Sequence, residues 1–145
     1  MLKFAGYTNI VLSIAHLIGL FWAKWMFEVT GIGKEMQDLA QTHFSLPYLV
    51  TVLVSTVFFI FGLYGMSAGG KMKKLPFLKV GIFSIAAVYI FRGLIGLFTD
   101  ITEEPANPTL TVLYSVIALL IGLLFLFGGI SKWAVRKNNN TQHFN

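Results

Sequence analysis

Arg92 stands inside an apolar run, Pro76 to Thr99, that reads PFLKVGIFSIAAVYIFRGLIGLFT. A helix rises ~1.5 Å per residue and a bilayer's hydrocarbon core is ~30 Å thick, so this run spans the core and carries the arginine into it. A guanidinium is permanently charged, and its planar fork donates two parallel hydrogen bonds to a carboxylate or phosphate. Inside a membrane such a group needs partners. Rise counted along the four apolar runs of the chain places Arg92 ~7 Å outward of the bilayer centre and His16 only a few ångströms outward of it. Thr51, Tyr114 and its neighbour Ser115 fall at similar depth, with Ser55 and Tyr89 close by. Arg92, His16, Thr51, Tyr114, Ser55 and Tyr89 are therefore the candidate ligand-binding layer. In it Arg92 would anchor a polar or anionic group. His16 would be its hydrogen-bond partner, and is the one good candidate for a general base.

The residues that are missing narrow the chemistry. There is no cysteine, hence no disulfide, thiol redox chemistry or thiolate metal site. No carboxylate falls in the membrane core, which argues against a proton-coupled drug exporter of the small four-helix kind and against a di-metal carboxylate site. Zinc needs three or four ligands, and His16, His43 and His143 lie at three separate places in the chain. Ser13 and His16 share a helix face, but a serine hydrolase also needs an acid to converge on them. No catalytic residue, metal or cofactor is expected. A purely structural reading stands beside the functional one. Arg92 would snorkel to the headgroup region or to Glu28, and His16 would be neutral and hydrogen-bonded to a neighbouring helix. Trp22, Trp25, Tyr48 and Trp133 read as interfacial belt residues.

The elements that must position this layer follow from composition. The chain has 145 residues, 56% hydrophobic and 12% charged, and a mean hydropathy of +0.74. A soluble domain this small could not hide so much apolar side chain, so lipid must cover most of it. The expected fold is all-α: a single integral-membrane four-helix bundle over residues 1–137, with spans near 4–27, 46–66, 76–99 and 109–131. Each span carries one stripe of small or polar residues, such as Gly6, Asn9, Ser13 and His16 on the first, and Thr51, Ser55, Gly62 and Gly65 on the second. The third has Gly81, Ser84, Val88, Arg92, Gly96 and Thr99; the fourth has Thr111, Ser115, Ala118, Gly122 and Gly129. Such stripes mark helix–helix packing in lipid. The first run is too long for the core of a cleavable signal peptide and has no small-x-small site after it. Between the first two spans, Met36, Leu39, Ala40 and Phe44 predict a short amphipathic helix on the membrane surface. The asparagine-rich tail, 138–145, reads as disordered.

Charge sets the expected orientation. Four spans bring both termini and the middle loop to one side, where Lys3, Lys71, Lys73, Lys74, Lys79, Lys132, Arg136 and Lys137 collect without an acid. All six acids, Glu28, Glu35, Asp38, Asp100, Glu103 and Glu104, fall on the other. Short cationic loops stay in the cytoplasm, so the termini are expected inside. The net charge of +5 is thus read as topology, and no nucleic-acid partner is expected. The basic loop would also suit anionic headgroups, although topology alone explains it.

The stretch FGLYGMSAGGKMKKLPFLKVGIFSIAAVYIFRGL, from Phe61 to Leu94, resembles a group of small bacterial four-span membrane proteins without an assigned activity. Leu63, Tyr64, Ser67, Gly69, Leu75, Pro76, Tyr89, Arg92 and Gly93 stand at the places of that group's pattern. The turn Gly31-Ile32-Gly33-Lys34-Glu35-Met36 departs from it by an extra lysine before the glutamate. The likeness covers most of the first three spans and implies a bacterial inner-membrane protein. Three classes of function remain open: binding or transport of a small amphiphile or lipid through the polar layer, an accessory subunit docked on a membrane partner or on copies of itself, and a lipid-modifying enzyme. The first is favoured, and an enzyme is disfavoured by the missing carboxylates.

Overall fold

The first apolar run does not form one unbroken helix. In the computed structural model, which describes residues 1–30, 32–102 and 108–141 with side chains omitted at 100, 101 and 135–141, α1 covers Leu2–Gly19 and a 3-10 turn follows at Leu20–Trp22. Trp22, at φ −123° and ψ 37°, leaves the helical region before α2 resumes over Ala23–Val29. The α3 helix, Gly33–Thr42, is the short amphipathic element expected in the first outer loop. Its Met36 and Leu39 are half-buried, while Glu35 and Asp38 are exposed. The long α4, Leu46–Ala68, has Pro47 in its first turn, where no backbone donor is lost. It ends in a Schellman motif. Gly70 takes φ +77°, its N–H bonds the Ser67 carbonyl at 3.1 Å, and the Lys71 N–H bonds that of Met66 at 3.0 Å.

Ser67 then holds the basic turn in place: its hydroxyl donates to the Lys73 carbonyl at 2.8 Å and accepts the Leu75 N–H at 3.0 Å. The next helix, α5, covers Leu78–Thr102, and α6 covers Pro108–Thr141. Thus α6 continues past residue 137, where the tail is expected to begin; residues 142–145, like Glu103 and Glu104, lie outside the described residues. Four segments are long and apolar enough to cross a membrane: Leu2–Val29, Leu46–Ala68, Leu78–Thr99 and Pro108–Ala134. The described residues contain no strand. This is the architecture of a multi-pass, all-α membrane protein.

The spans pack as two antiparallel pairs. In the first, α1 meets α4 backbone to backbone: a Cβ placed on Gly65 would lie 2.6 Å from the Gly6 Cα. In the second, α5 meets α6 through Gly93, Gly96 and Gly122. The pairs share a core of Leu2, Ala5, Ala68, Ile82, Ile85, Ala86, Tyr89, Ala118, Ile121 and Phe125. All but Ala118 lie between the termini and about the middle of the spans. Beyond Tyr89, the buried residues whose neighbours are defined pack within a pair: Ser13 with Ser55 in one, and Gly93 and Gly96 against α6 in the other. The core that the pairs share is thus concentrated toward the end that carries the termini.

Candidate functional site

Tyr89 is the central polar contact between the pairs. Its hydroxyl donates to Asn9 Oδ1 at 2.5 Å, and Asn9 Nδ2 donates to the Ala5 carbonyl at 2.9 Å. Both residues are buried, which in an apolar interior obliges each polar atom to find such a partner. The Tyr89 ring lies nearly parallel to Phe58 and Phe125, with centroids 6.3 and 6.4 Å away, and Phe61 meets it edge-on at 5.9 Å. Phe58 in turn receives the edge of His16 at 5.0 Å. An aromatic chain therefore joins His16 to Tyr89 through Phe58.

His16 donates from Nδ1 to the Leu12 carbonyl of its own helix at 2.8 Å. A carbonyl only accepts, so Nδ1 carries a proton. The expected bond to a neighbouring helix is replaced by this local one, because the i−4 carbonyl is within reach of a half-buried helical side chain. Ser55 is buried, donates to the Ser13 carbonyl at 2.9 Å and lies 3.0 Å from the Ser13 hydroxyl, so it bonds α1 to α4. Thr51 spends its hydroxyl on the Pro47 carbonyl of its own helix, at 2.8 Å. Tyr114 is 37% exposed on α6; of this adjacent pair it is Ser115 that is buried against α5, next to Gly96. The six candidates thus do not form one layer: Tyr89 and Ser55 are interhelical ties, His16 flanks them, and Thr51 and Tyr114 stand apart.

Arg92 differs most from expectation. It makes no hydrogen bond or ion pair among the described residues, neither to Thr51, Ser55 or Tyr114 nor to a backbone carbonyl, and it is exposed. Yet Arg92 lies two turns from Ile85 on the same face of α5, and Ile85 is only 4% exposed. One stripe is thus covered at Ile85 and bare at Arg92. The guanidinium does not follow the usual tilt of helical side chains toward the N-terminus. It folds toward the C-terminal turn instead, where a methyl group at Gly96 would come within 2.7 Å of Arg92 Nη1. A glycine at that position leaves the lane open. The guanidinium is thereby carried toward the C-terminal end of α5, by ~6 Å for four residues of rise.

Asn9 is the functional neighbour that residue-by-residue reading passed over. Its signal was present, an amide in the middle of an apolar run on the small-residue stripe, but nothing in the sequence pairs it with Tyr89. Among the described residues no three histidines or carboxylates come together as a metal-binding group would require. Comparison with protein-family models, with curated proteins and with solved structures finds no match to this chain.

Proposed function

We propose that this protein binds an anionic amphiphile in the outward half of the membrane, with Arg92 as its anchor. The observation that carries the reading is an exposed guanidinium on a spanning helix with no protein partner among the described residues. In a membrane such a charge is held by water, by a headgroup, or by both. From ~7 Å outward of the centre, a further ~6 Å of snorkelling brings the fork close to the outward edge of the hydrocarbon core, ~15 Å from the centre, beneath the headgroup region. A headgroup phosphate is a group that its two parallel donors fit.

The reading is placed in a bacterial inner membrane with both termini in the cytoplasm. Support comes from the cations gathered at the end of the termini, with the Lys71–Lys74 turn held there by Ser67, and from the resemblance over Phe61–Leu94. A cysteine at Lys73 should resist an impermeant thiol reagent in intact cells and react once they are opened; labelling from outside would reverse the orientation.

The binding itself is tested by native mass spectrometry of protein reconstituted with phosphatidylglycerol and phosphatidylcholine. Wild-type protein should retain phosphatidylglycerol preferentially, and Arg92→Gln should weaken that retention about tenfold, the value of one charge-assisted hydrogen-bonded contact. Equal retention by both proteins would make Arg92 structural and leave the accessory-subunit reading in its place.

A further inference from the structure

At the end of the bundle opposite the termini, α2, α3 and α4 border an open cup of about 240 Å³. Phe27, Met36, Phe44 and Tyr48 give it apolar walls, and Lys24 and Glu28 of α2 line it as well. Backbone contacts frame it. The Thr30 N–H donates to the Met26 carbonyl at 3.0 Å and the Ile32 N–H to that of Phe27 at 3.1 Å, which closes α2. A Cβ on Gly33 would stand 3.4 Å from the Glu28 Cα, so the first residue of α3 packs directly on the residue that carries the acid. The two charges do not meet. Lys24 and Glu28 are about one turn apart on α2 and both are exposed, yet they make no ion pair among the described residues. A lysine four residues ahead of a glutamate is the weaker order for pairing along a helix. The cup therefore presents a cation and an anion side by side, each without a protein partner among the described residues.

We infer that this cup takes the headgroup of phosphatidylethanolamine, with the phosphate on Lys24 and the ammonium on Glu28. The site is separate from Arg92, which does not line it. Charge complementarity selects the occupant, because each end of this zwitterion makes a charge-assisted hydrogen bond with one of the two side chains. Depth selects it too. Both residues belong to the span Leu2–Val29, with Lys24 ~6 Å nearer its middle and Glu28 beside its end. In a bilayer the phosphate, joined to glycerol, is likewise the deeper group, and the amine is the outer one. Size agrees as well: at ~30 Å³ per molecule of liquid water the cup has the space of roughly eight waters, enough for this headgroup. The acyl chains stay in the bilayer, since they would gain little by entering an apolar groove. Selectivity falls to the ammonium. It offers the carboxylate N–H donors, whereas choline carries the same charge with none. Choline's alternative, an aromatic cage, is disfavoured because Phe44 already gives one ring face to His43, with centroids 5.0 Å apart.

The experiment places the full-length protein in nanodiscs of phosphatidylethanolamine, phosphatidylcholine and phosphatidylglycerol with identical chains, and reads the retained lipids by native mass spectrometry. Wild-type protein should retain phosphatidylethanolamine about tenfold over phosphatidylcholine, the size of one charge-assisted hydrogen-bonded contact. Glu28→Gln should bring that ratio close to one. Lys24→Gln removes the phosphate contact common to both lipids, so it should lower the retention of each and leave the ratio in place. Both side chains are exposed, so neither change should alter thermal unfolding in detergent. Ala40→Trp, which fills the cup without touching either charge, should abolish the preference, and Ile130→Trp at an exposed position of α6 should preserve it. Arg92→Gln should leave the ratio intact whatever it does to phosphatidylglycerol, so the two lipid sites stand or fall separately. A wild-type ratio of one or below overturns the inference, as does a preference that survives Glu28→Gln or Ala40→Trp. A dimer mass that Ala40→Trp abolishes while the lipid ratio stays unchanged would give the cup to a second copy, and would equally overturn it.

Discussion

Replacing Gly65 with leucine is expected to destabilise the protein by about 3 kcal/mol, at the top of the usual range for an overfilled interior. The reason is the nature of the neighbour. A Cβ on Gly65 would lie 2.6 Å from the Gly6 Cα and 2.8 Å from the Gly6 nitrogen, and one on Gly6 would lie 2.7 Å from the Met66 nitrogen. These are backbone atoms of the facing helix, which cannot rotate out of the way. The α1 helix must therefore move as a body, and with it goes the close approach that supplies most of the dispersion energy between helices in lipid. Gly65→Ala should show the same effect at roughly half the size. Gly19→Ala is the contrast: its Cβ would meet only the Met26 side chain, at 3.4 Å, so the substitution should be neutral or stabilise by up to ~1 kcal/mol through helix propensity. Equilibrium unfolding in mixed detergent micelles measures all three. Equal stability of Gly65→Leu and wild type would mean that α1 and α4 are not in backbone contact.

The second large effect is expected at the buried tyrosine–asparagine contact. Tyr89→Phe removes the donor to Asn9 Oδ1 and leaves that oxygen buried without its partner. Asn9→Leu does the converse, stranding the Tyr89 hydroxyl among Phe58, Phe61 and Phe125. Each single change should cost about 2 kcal/mol, since an orphaned buried polar group loses its full desolvation energy. The double variant replaces both partners with apolar groups of similar shape, so it should lie closer to wild type than the sum of the singles by about 1–2 kcal/mol. Interhelical hydrogen bonds in membranes average near ~0.6 kcal/mol with a maximum near ~1.7. Full burial of both residues places this one toward the upper end. Strict additivity in the same unfolding assay would contradict a direct bond between them.

Much of this architecture is written in the chain itself. Hydropathy and length delimit all four spans, because the bilayer sets a minimum apolar length that no other structure demands. The surface helix at Gly33–Thr42 follows from its amphipathic period, and the basic and acidic ends follow from composition alone. Gly6, Gly62 and Gly65 fall on the stripes where α1 and α4 do meet, since a three- or four-residue spacing defines a face independently of what covers it. What covers it was the part left to tertiary structure. The break at Leu20–Trp22 has no proline or glycine pair at its centre to announce it. Periodicity places Ser55, Tyr89 and Arg92 on inward faces alike, but one binds Ser13, one binds Asn9, and one stands open. Those three outcomes depend on the distance between helices at each level. That distance is set by backbone contacts through glycines elsewhere along the pairs, so no local pattern around Arg92 records that its own face is left uncovered.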